Sequence, residues 1–341
     1  MDTRENSNSP DSAHSYDGRL DSLLLLDTAE LRAVLTPEVC LKALEDAYRR
    51  LHAAPTDKGR SVAFEAGQGK FHVKAGLYPG THDYFAAKVN ANFPDNPGAF
   101  GLPTIQGLIV LCDGNNGRPL AILQSAELTG RRTAAATVLA AKHGARPDAR
   151  SLALIGCGAQ SRYQVEAVLG VLPITHITLF DREPANAEAL ALWTRETLGL
   201  EVEIAATIAN AVAARDVVVS CTPATAPIIM PDMVTAGSFI AAIGADNPDK
   251  QELDPELFAN ARILVDDVDQ CASDGDLAHA IRAGIVTAAD VAATLADLAG
   301  GAKPGRARDD EIVIFDSTGS GLQDVAAAVA AFEAIGKQSC R

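Results

Sequence analysis

The chain lacks any disulfide or metal framework. Its six cysteines, at 40, 112, 157, 221, 271 and 340, form no CxxC pair, and none stands at zinc-finger spacing from a histidine. Scattered thiols in a chain with a large apolar fraction fit a reducing compartment, so a cytoplasmic location is expected. The seven histidines show no metal spacing either, and no metal is expected. No window of 18 consecutive apolar residues occurs, which argues against a transmembrane helix. Residues 1–17 are polar, without the apolar h-region of a signal peptide. Positive charge is in the minority: 29 Lys and Arg stand against 44 Asp and Glu, a net charge of −15. That balance argues against nucleic acid and against anionic membrane as partners. It leaves room for a small anionic ligand, because one pocket can be basic in an acidic protein. Internal repeats are absent too.

What is present is an ordinary folding composition, 48% hydrophobic and 21% charged, over 341 residues. That length predicts two domains. Residues 1–20 are rich in Ser, Asn and Asp and read as a disordered tail. LLLLDTAELRAVL then reads as a strand followed by a helix, and Thr36-Pro37-Glu38 as a helix start with Thr as cap. From about 60 to 125, short β-like runs such as GKFHVKAGLYPG, DYFAAKVNANF, PTIQGLIVLCD and PLAILQSAEL are broken by Gly, Pro and Asn. They predict a mixed or antiparallel sheet. An Ala-rich helix is expected over 129–143, and ARPDAR after it is the expected domain boundary.

From 151 the rhythm changes to strand, helix, strand, helix. Buried apolar strands alternating with helices indicate a doubly wound parallel sheet. Its first turn carries the strongest local signal, LALIGCGAQS. Gly156 permits the tight turn, Gly158 lets a pyrophosphate approach the backbone, and Ala159, Gln160 and Ser161 open the helix whose N-terminus favours an anion. Ser161 replaces the third glycine of the usual fingerprint and is still small. Asp181 ends the second strand, HITLFD, 20 residues after Ser161. A carboxylate there accepts both ribose hydroxyls and repels a 2′-phosphate, which favours NAD over NADP. Arg182, next to it, is the residue that could instead accept a phosphate.

The stretches AAKVNANFPDNP, GLPTIQGLIVL, ELTGRRTAAATVLAAKH, ALIGCGAQSRYQ, IGADNPDKQELDP and FDSTGSGLQD occur in this order. With them the chain, over residues 22–335, resembles the ornithine cyclodeaminase/mu-crystallin family. The resemblance implies an α/β fold, a Rossmann-type doubly wound sheet inserted in a mixed α+β substrate and dimerisation domain. The domains then fall at 21–145 plus 311–341, and at 146–310, with the C-terminal strand and helix returning to the first domain. A homodimer through the first domain's sheet, or a larger homo-oligomer, is also implied. The implied chemistry is NAD(H)-dependent hydride transfer at Cα of a small amino or imino acid. The family includes ornithine cyclodeaminases, alanine dehydrogenases, imino-acid reductases and mu-crystallin-like ligand binders.

Such chemistry needs a cation for the α-carboxylate, a group that handles the nitrogen proton and a cofactor face held against Cα. The resemblance points to Arg60, Lys88 and Arg132 for the substrate, with Thr133 near the cofactor phosphates. Lys88 lies within an apolar strand, where a lysine is costly unless paired or used. Asp246 follows an apolar strand at the sheet edge where ligands bind, and the resemblance makes it the catalytic acid–base group, with Lys88 beside it. The mu-crystallin branch departs from Asp there, so Asp246 argues for an enzyme rather than a binder. Thr104, Cys221, Thr222, Gly244, Lys250 and Ser317 match cofactor-adjacent positions, and Gln106 is a further candidate on the nicotinamide side. Cys157 and Cys221 read as small packing residues, and His72 and His279 as pocket lining. Lys74 stands where cyclodeaminases place an acidic residue for the distal amine. It suits a carboxylate better, although Glu65 nearby could restore the amine reading. Cyclodeaminase and net dehydrogenase or reductase both stay open at this point, with the mu-crystallin-like binder as the alternative class.

Overall fold

The computed structural model describes residues 23–55, 59–78, 80 and 83–339. The N-terminal tail and Cys340 lie outside them. The chain opens with strand β1 (Leu24–Leu26), helix α1 (Thr28–Val34) and helix α2 (Pro37–Ala53). Asp27 and Glu30 cap α1 reciprocally, and Thr36 caps α2 with Pro37 at its first position, so both starts follow from local chemistry. Strands β2 (Arg60–Ala66), β3 (Gly69–Tyr78) and β4 (Tyr84–Asn92), a short helix α3 (Asn96–Phe100), and strands β5 (Ile105–Asp113) and β6 (Pro119–Gln124) follow. They form a six-stranded sheet in the order β1-β6-β5-β4-β3-β2, antiparallel except for the β1–β6 pair.

The next element, α4 (Ser125–Gly144), starts four residues before the expected 129. SAEL is its first turn, not the end of a strand. Ala, Glu and Leu favour helix, and Glu127 there receives Arg131 one turn on, along with Arg32 and Tyr163. Residues Ala134 to Ala141 of α4 are all buried, because this helix runs between the two sheets.

The second unit is parallel. It begins β7 (Ser151–Ile155), α5 (Ser161–Val171), β8 (His176–Phe180), α6 (Pro184–Leu198), β9 (Val202–Ile204), α7 (Ile208–Val212) and β10 (Val217–Ser220). It continues through β11 (Thr225–Ile229), β12 (Phe239–Ala242), β13 (Gln251–Leu253), β14 (Arg262–Val265), α8 (Val268–Asp274), α9 (Asp276–Arg282), β15 (Val291–Thr294), α10 (Leu295–Ala299) and β16 (Val313–Asp316). Eight strands make one sheet, β15-β14-β16-β12-β10-β7-β8-β9, with every pair parallel. The chain reverses direction across the sheet beside β7, the place where doubly wound folds bind ligands.

The last helix, α11 (Gly321–Ser339), returns to pack on β3, β4 and α2. Strand β16 does not return with it. It sits between β12 and β14 inside the parallel sheet, because its VIFD run is buried on both faces, as a central parallel strand must be. The crossover between the units therefore falls at 317–320 rather than at 311. No helix among the described residues is long and apolar enough to cross a membrane.

Candidate active site

One cavity of about 330 Å³ lies between the two sheets. Its floor is the inner face of the antiparallel sheet. Register sets the residues in rows: Lys74 opposite Lys88, His72 opposite Asn90 opposite Gly107, and Asn92 opposite Ile105. Side chains alternate between the faces of a strand, so all of these point one way. The residues between them (Val62, Val73, Val89 and Leu108 in one row) face the other way. The same alternation puts Gln106, opposite Ala91, on that outer face.

Lys88 is buried, and its Nζ lies 2.8 Å from Oδ2 of Asp324 on α11. Arg132 of α4 reaches the same carboxylate, Nε to Oδ1 at 3.0 Å, and donates from Nη1 to Gln323 Oε1 at 2.7 Å. Lys74 donates to the carbonyls of Thr318 and Gly319, each at 2.9 Å. Burial, helped by Arg132 and Lys74, outweighs the pull of Asp324 and brings Lys88 down to about 7. Burial lowers Lys74 as well. Burial alone would raise Asp324, but Lys88 and Arg132 outweigh it and hold the carboxyl below its ordinary range. Two cations share one buried carboxylate and a third, Lys74, stands beside them on backbone carbonyls, an arrangement suited to a second, incoming carboxylate.

Asp246 faces this cluster from the loop after β12. Lys250 donates to its Oδ1 at 2.7 Å. The cleft is open, so the side chain is 51% accessible although protein surrounds it at longer range. Burial pushes its carboxyl up, and Lys250, Lys74 and His72 together more than offset that, so it is ionised at neutral pH. His72 is held below its usual value by burial, hence neutral.

The glycine-rich loop forms the other wall. Gly156 has φ +92°, and a Cβ there would lie 2.8 Å from Thr222 Cγ2, so only glycine fits. Gly158 meets nothing within 4 Å, which leaves open space before the N-terminus of α5. Asp181 accepts the Cys157 N–H at 2.7 Å and the Glu183 N–H at 2.8 Å, so it braces the loop from the end of β8. A further cavity of about 530 Å³ shares Gly158 and Ala159 and reaches Ser161 and Asn186. Open loop amides, a positive helix end and a carboxylate at the second strand's end fit an extended dinucleotide.

Of the residues expected from the sequence, Lys74, Lys88, Arg132, Thr133, Gly158, Ala159, Gln160, Cys221, Thr222, Gly244, Asp246, Lys250 and Ser317 line the main cavity, and so does His72. Arg60 does not. It opens onto a neighbouring cavity of about 310 Å³ that shares Lys74. Thr104 is displaced by Ile105, because the strand starts there and Thr104 instead offers its carbonyl to Phe93 N–H at 2.8 Å. His279 stands behind Lys250 and bonds its carbonyl at 2.9 Å. Arg182 is 90% exposed beside Glu183. Glu65 is 74% exposed and paired with Lys70 at 3.0 Å, outside the cavity. Burial raises the Cys157 thiol to about 12 and the Cys221 thiol well above its normal value, so both are packing groups.

Sequence reasoning missed Asp324, Gln323, Asp266 and Glu252. Asp266 accepts from Ser317 Oγ, Gly319 N and Gln323 Nε2, which ties the 317–319 loop to α11. Glu252 is buried and accepts from Thr222 N and Gly244 N, each at 2.7 Å, fixing two cavity-lining loops. A signal existed for Asp324: it stands directly before the apolar run VAAAVAAF in the first turn of its helix.

The model of the ornithine cyclodeaminase/mu-crystallin family matches residues 23–339. Among solved structures, the chain is similar to an archaeal alanine dehydrogenase dimer with bound NAD, at 33% identity, TM-score 0.83, covering 93% of this chain and 97% of that one. It is similar to the iminosuccinate reductase of Paracoccus denitrificans in complex with NAD+, at 33% identity, TM-score 0.84, covering 93% and 97%. It is also similar to the pyrroline-2-carboxylate reductase of Thermococcus litoralis in complex with NADH and L-proline, at 27% identity, TM-score 0.87, covering 93% and 98%.

Proposed function

From the chain's place in the ornithine cyclodeaminase/mu-crystallin family, to which it belongs, we propose that it is an NAD(H)-dependent enzyme acting at Cα of a small amino or imino acid. Within that chemistry it works as a net dehydrogenase or imine reductase rather than a cyclodeaminase. The carrying observation is the charge of the cavity wall. Lys74, Lys88, Arg132 and Lys250 stand there against Asp246, which Lys250 already holds. Among the described residues no other carboxylate lines the cavity to receive a distal ammonium, and Glu65 is turned to solvent. Asp246 and the buried Lys88–Asp324 pair also favour turnover over a binding role.

Lys88, Arg132 and Lys74 hold the α-carboxylate. Arg60 is kept as a candidate for the same task, from the adjoining cavity. Asp246, ionised, faces the substrate nitrogen and takes its proton as the amine becomes an imine; in reverse it returns that proton. Bound NAD supplies the hydride acceptor, and NADH the donor. Gly156, Gly158, Ala159, Gln160 and Ser161 cradle the pyrophosphate with Thr133 beside it, while Thr222, Gly244, Lys250 and Ser317 border the nicotinamide end. Asp181 favours NAD over NADP, with Arg182 pointing to solvent. The apolar outer face of the six-stranded sheet supports a homodimer, and the free thiols agree with a cytoplasmic setting.

Incubation with L-ornithine and sub-stoichiometric NAD, alongside L-amino acids with excess NAD, tests the reading. NADH build-up with an amino acid, and no proline from ornithine, is expected. Proline and ammonia in many-fold excess over NAD, without NADH, would make it a cyclodeaminase.

A further inference from the structure

The cation row is only one of three rows on the sheet's inner face. The next carries His72, Asn90 and Gly107, and the third adds Asn92 and Ile105. Both asparagines and His72 line the cavity. None makes a side-chain hydrogen bond to the described residues of the protein, and Asn90 Oδ1 is buried without a partner. Gly107 makes this possible: a Cβ there would lie 2.2 Å from Asn90 Oδ1. With Oδ1 tucked against Gly107, the Asn90 amide N–H₂ is the end left for the cavity. Thr129 of α4 lines the same cavity with its own Oγ1 buried and unpartnered.

What is left open to the cavity is a set of donors, the Asn90 and Asn92 amides, His72 and the buried Thr129 hydroxyl, and donors of this kind suit a ligand that brings oxygen acceptors. Neighbouring rows are about 7 Å apart, two strand residues. A substrate whose α-carboxylate sits on Lys74, Lys88 and Arg132 would have its side chain over the asparagine row. A methyl group falls short of it. A distal ammonium would meet nearby lysines and no open carboxylate.

We infer that the substrate is a four-carbon 2-amino or 2-imino acid whose side chain ends in a planar oxygen-bearing group, a carboxylate or a carboxamide. Asn90, Asn92 and the neutral His72 donate to it and determine specificity. This rests on the proposed function and deepens it by naming the substrate class.

The test is a panel of L-aspartate, L-asparagine, L-2-aminobutyrate, L-alanine and L-ornithine with NAD+, and of oxaloacetate against pyruvate with ammonium and NADH. L-aspartate or L-asparagine is expected to exceed L-2-aminobutyrate in kcat/KM by about 100-fold or more, because a site that binds a polar group rejects the analogue without it. Aspartate ahead of asparagine identifies the carboxylate; the reverse order identifies the carboxamide. The N90L variant should cut the ratio of that substrate to L-2-aminobutyrate by at least about 10-fold, with NAD affinity as the check on folding. L-alanine or L-2-aminobutyrate within tenfold of the polar pair, or an N90L ratio equal to wild type, overturns the inference and leaves the dehydrogenase reading standing. Proline from L-ornithine, or no turnover of any member, overturns both.

Discussion

The two sheets build their halves of the cavity in different ways. The parallel sheet uses backbone: one loop of consecutive residues, Gly156 to Ser161, with supporting amides at Thr222 and Gly244. The antiparallel sheet uses side chains standing on strand faces, and its charges are completed from α4 and α11, as far as 236 residues away in the chain. A site made of backbone depends on which turn can form. A site made of side chains depends on which charges are left over after pairing.

The sharpest break in that comparison comes at Asp246, a side chain that the parallel half carries into the cavity opposite the cation row. Asp246→Asn should lower kcat by about 100- to 10,000-fold while NAD binding persists, since it removes a proton acceptor but no cofactor contact. Stopped-flow NADH formation with fluorescence-monitored NAD binding reads both, and near-normal kcat would remove Asp246 from the chemistry.

Next in size, Asp324→Ala leaves Lys88 and Arg132 buried without their shared carboxylate. Unfolding stability should fall by about 3–5 kcal/mol. Asp324→Asn should weaken substrate binding more than NAD binding. Equal losses for both ligands would mean that the pair serves the fold alone.

The halves should also differ with pH. Lys88, lowered to about 7 by burial, is charged below that value and neutral above it. KM for the substrate should therefore rise above about pH 7, by at most about tenfold per pH unit, while the Kd for NAD stays level. A flat KM between pH 6 and 9 would show that Lys74 and Arg132 suffice.

On the backbone side, two glycines separate strain from access. Gly156→Ala should destabilise the free protein by about 1–3 kcal/mol, through its positive φ and the clash with Thr222. Gly158→Ala should leave thermal unfolding of the free protein unchanged and weaken NAD alone. A change of Tm at Gly158 would sink the idea that its open space serves the cofactor.

The smallest expected effect concerns the outer face of the six-stranded sheet. Val62, Phe64, Val89 and Leu108, between 44% and 54% exposed, form an apolar surface there. Phe64→Lys with Val89→Lys should convert a homodimer to monomer in light scattering with little change in Tm. A monomeric wild type would disprove the dimer.

The sequence alone determined the parallel half. The apolar strand, GxGxxS turn and Asp181 are adjacent in the chain or one βαβ unit apart, and such geometry follows from local backbone rules. It also determined that Lys88 needed a use, because a lysine within an apolar strand is costly unless partnered. Tertiary structure alone decided the rest. It inserted β16 in the parallel sheet, since a strand's neighbours depend on burial on both faces. It set Arg60 in the adjoining cavity and put Ile105 in place of Thr104, since register decides which side chains face inward. It brought Asp324 to Lys88 and Arg132, and set Asn90 over Gly107. Those pairings join segments far apart in the chain, and only packing of α11 and α4 against the sheet brings such charges within reach of one another.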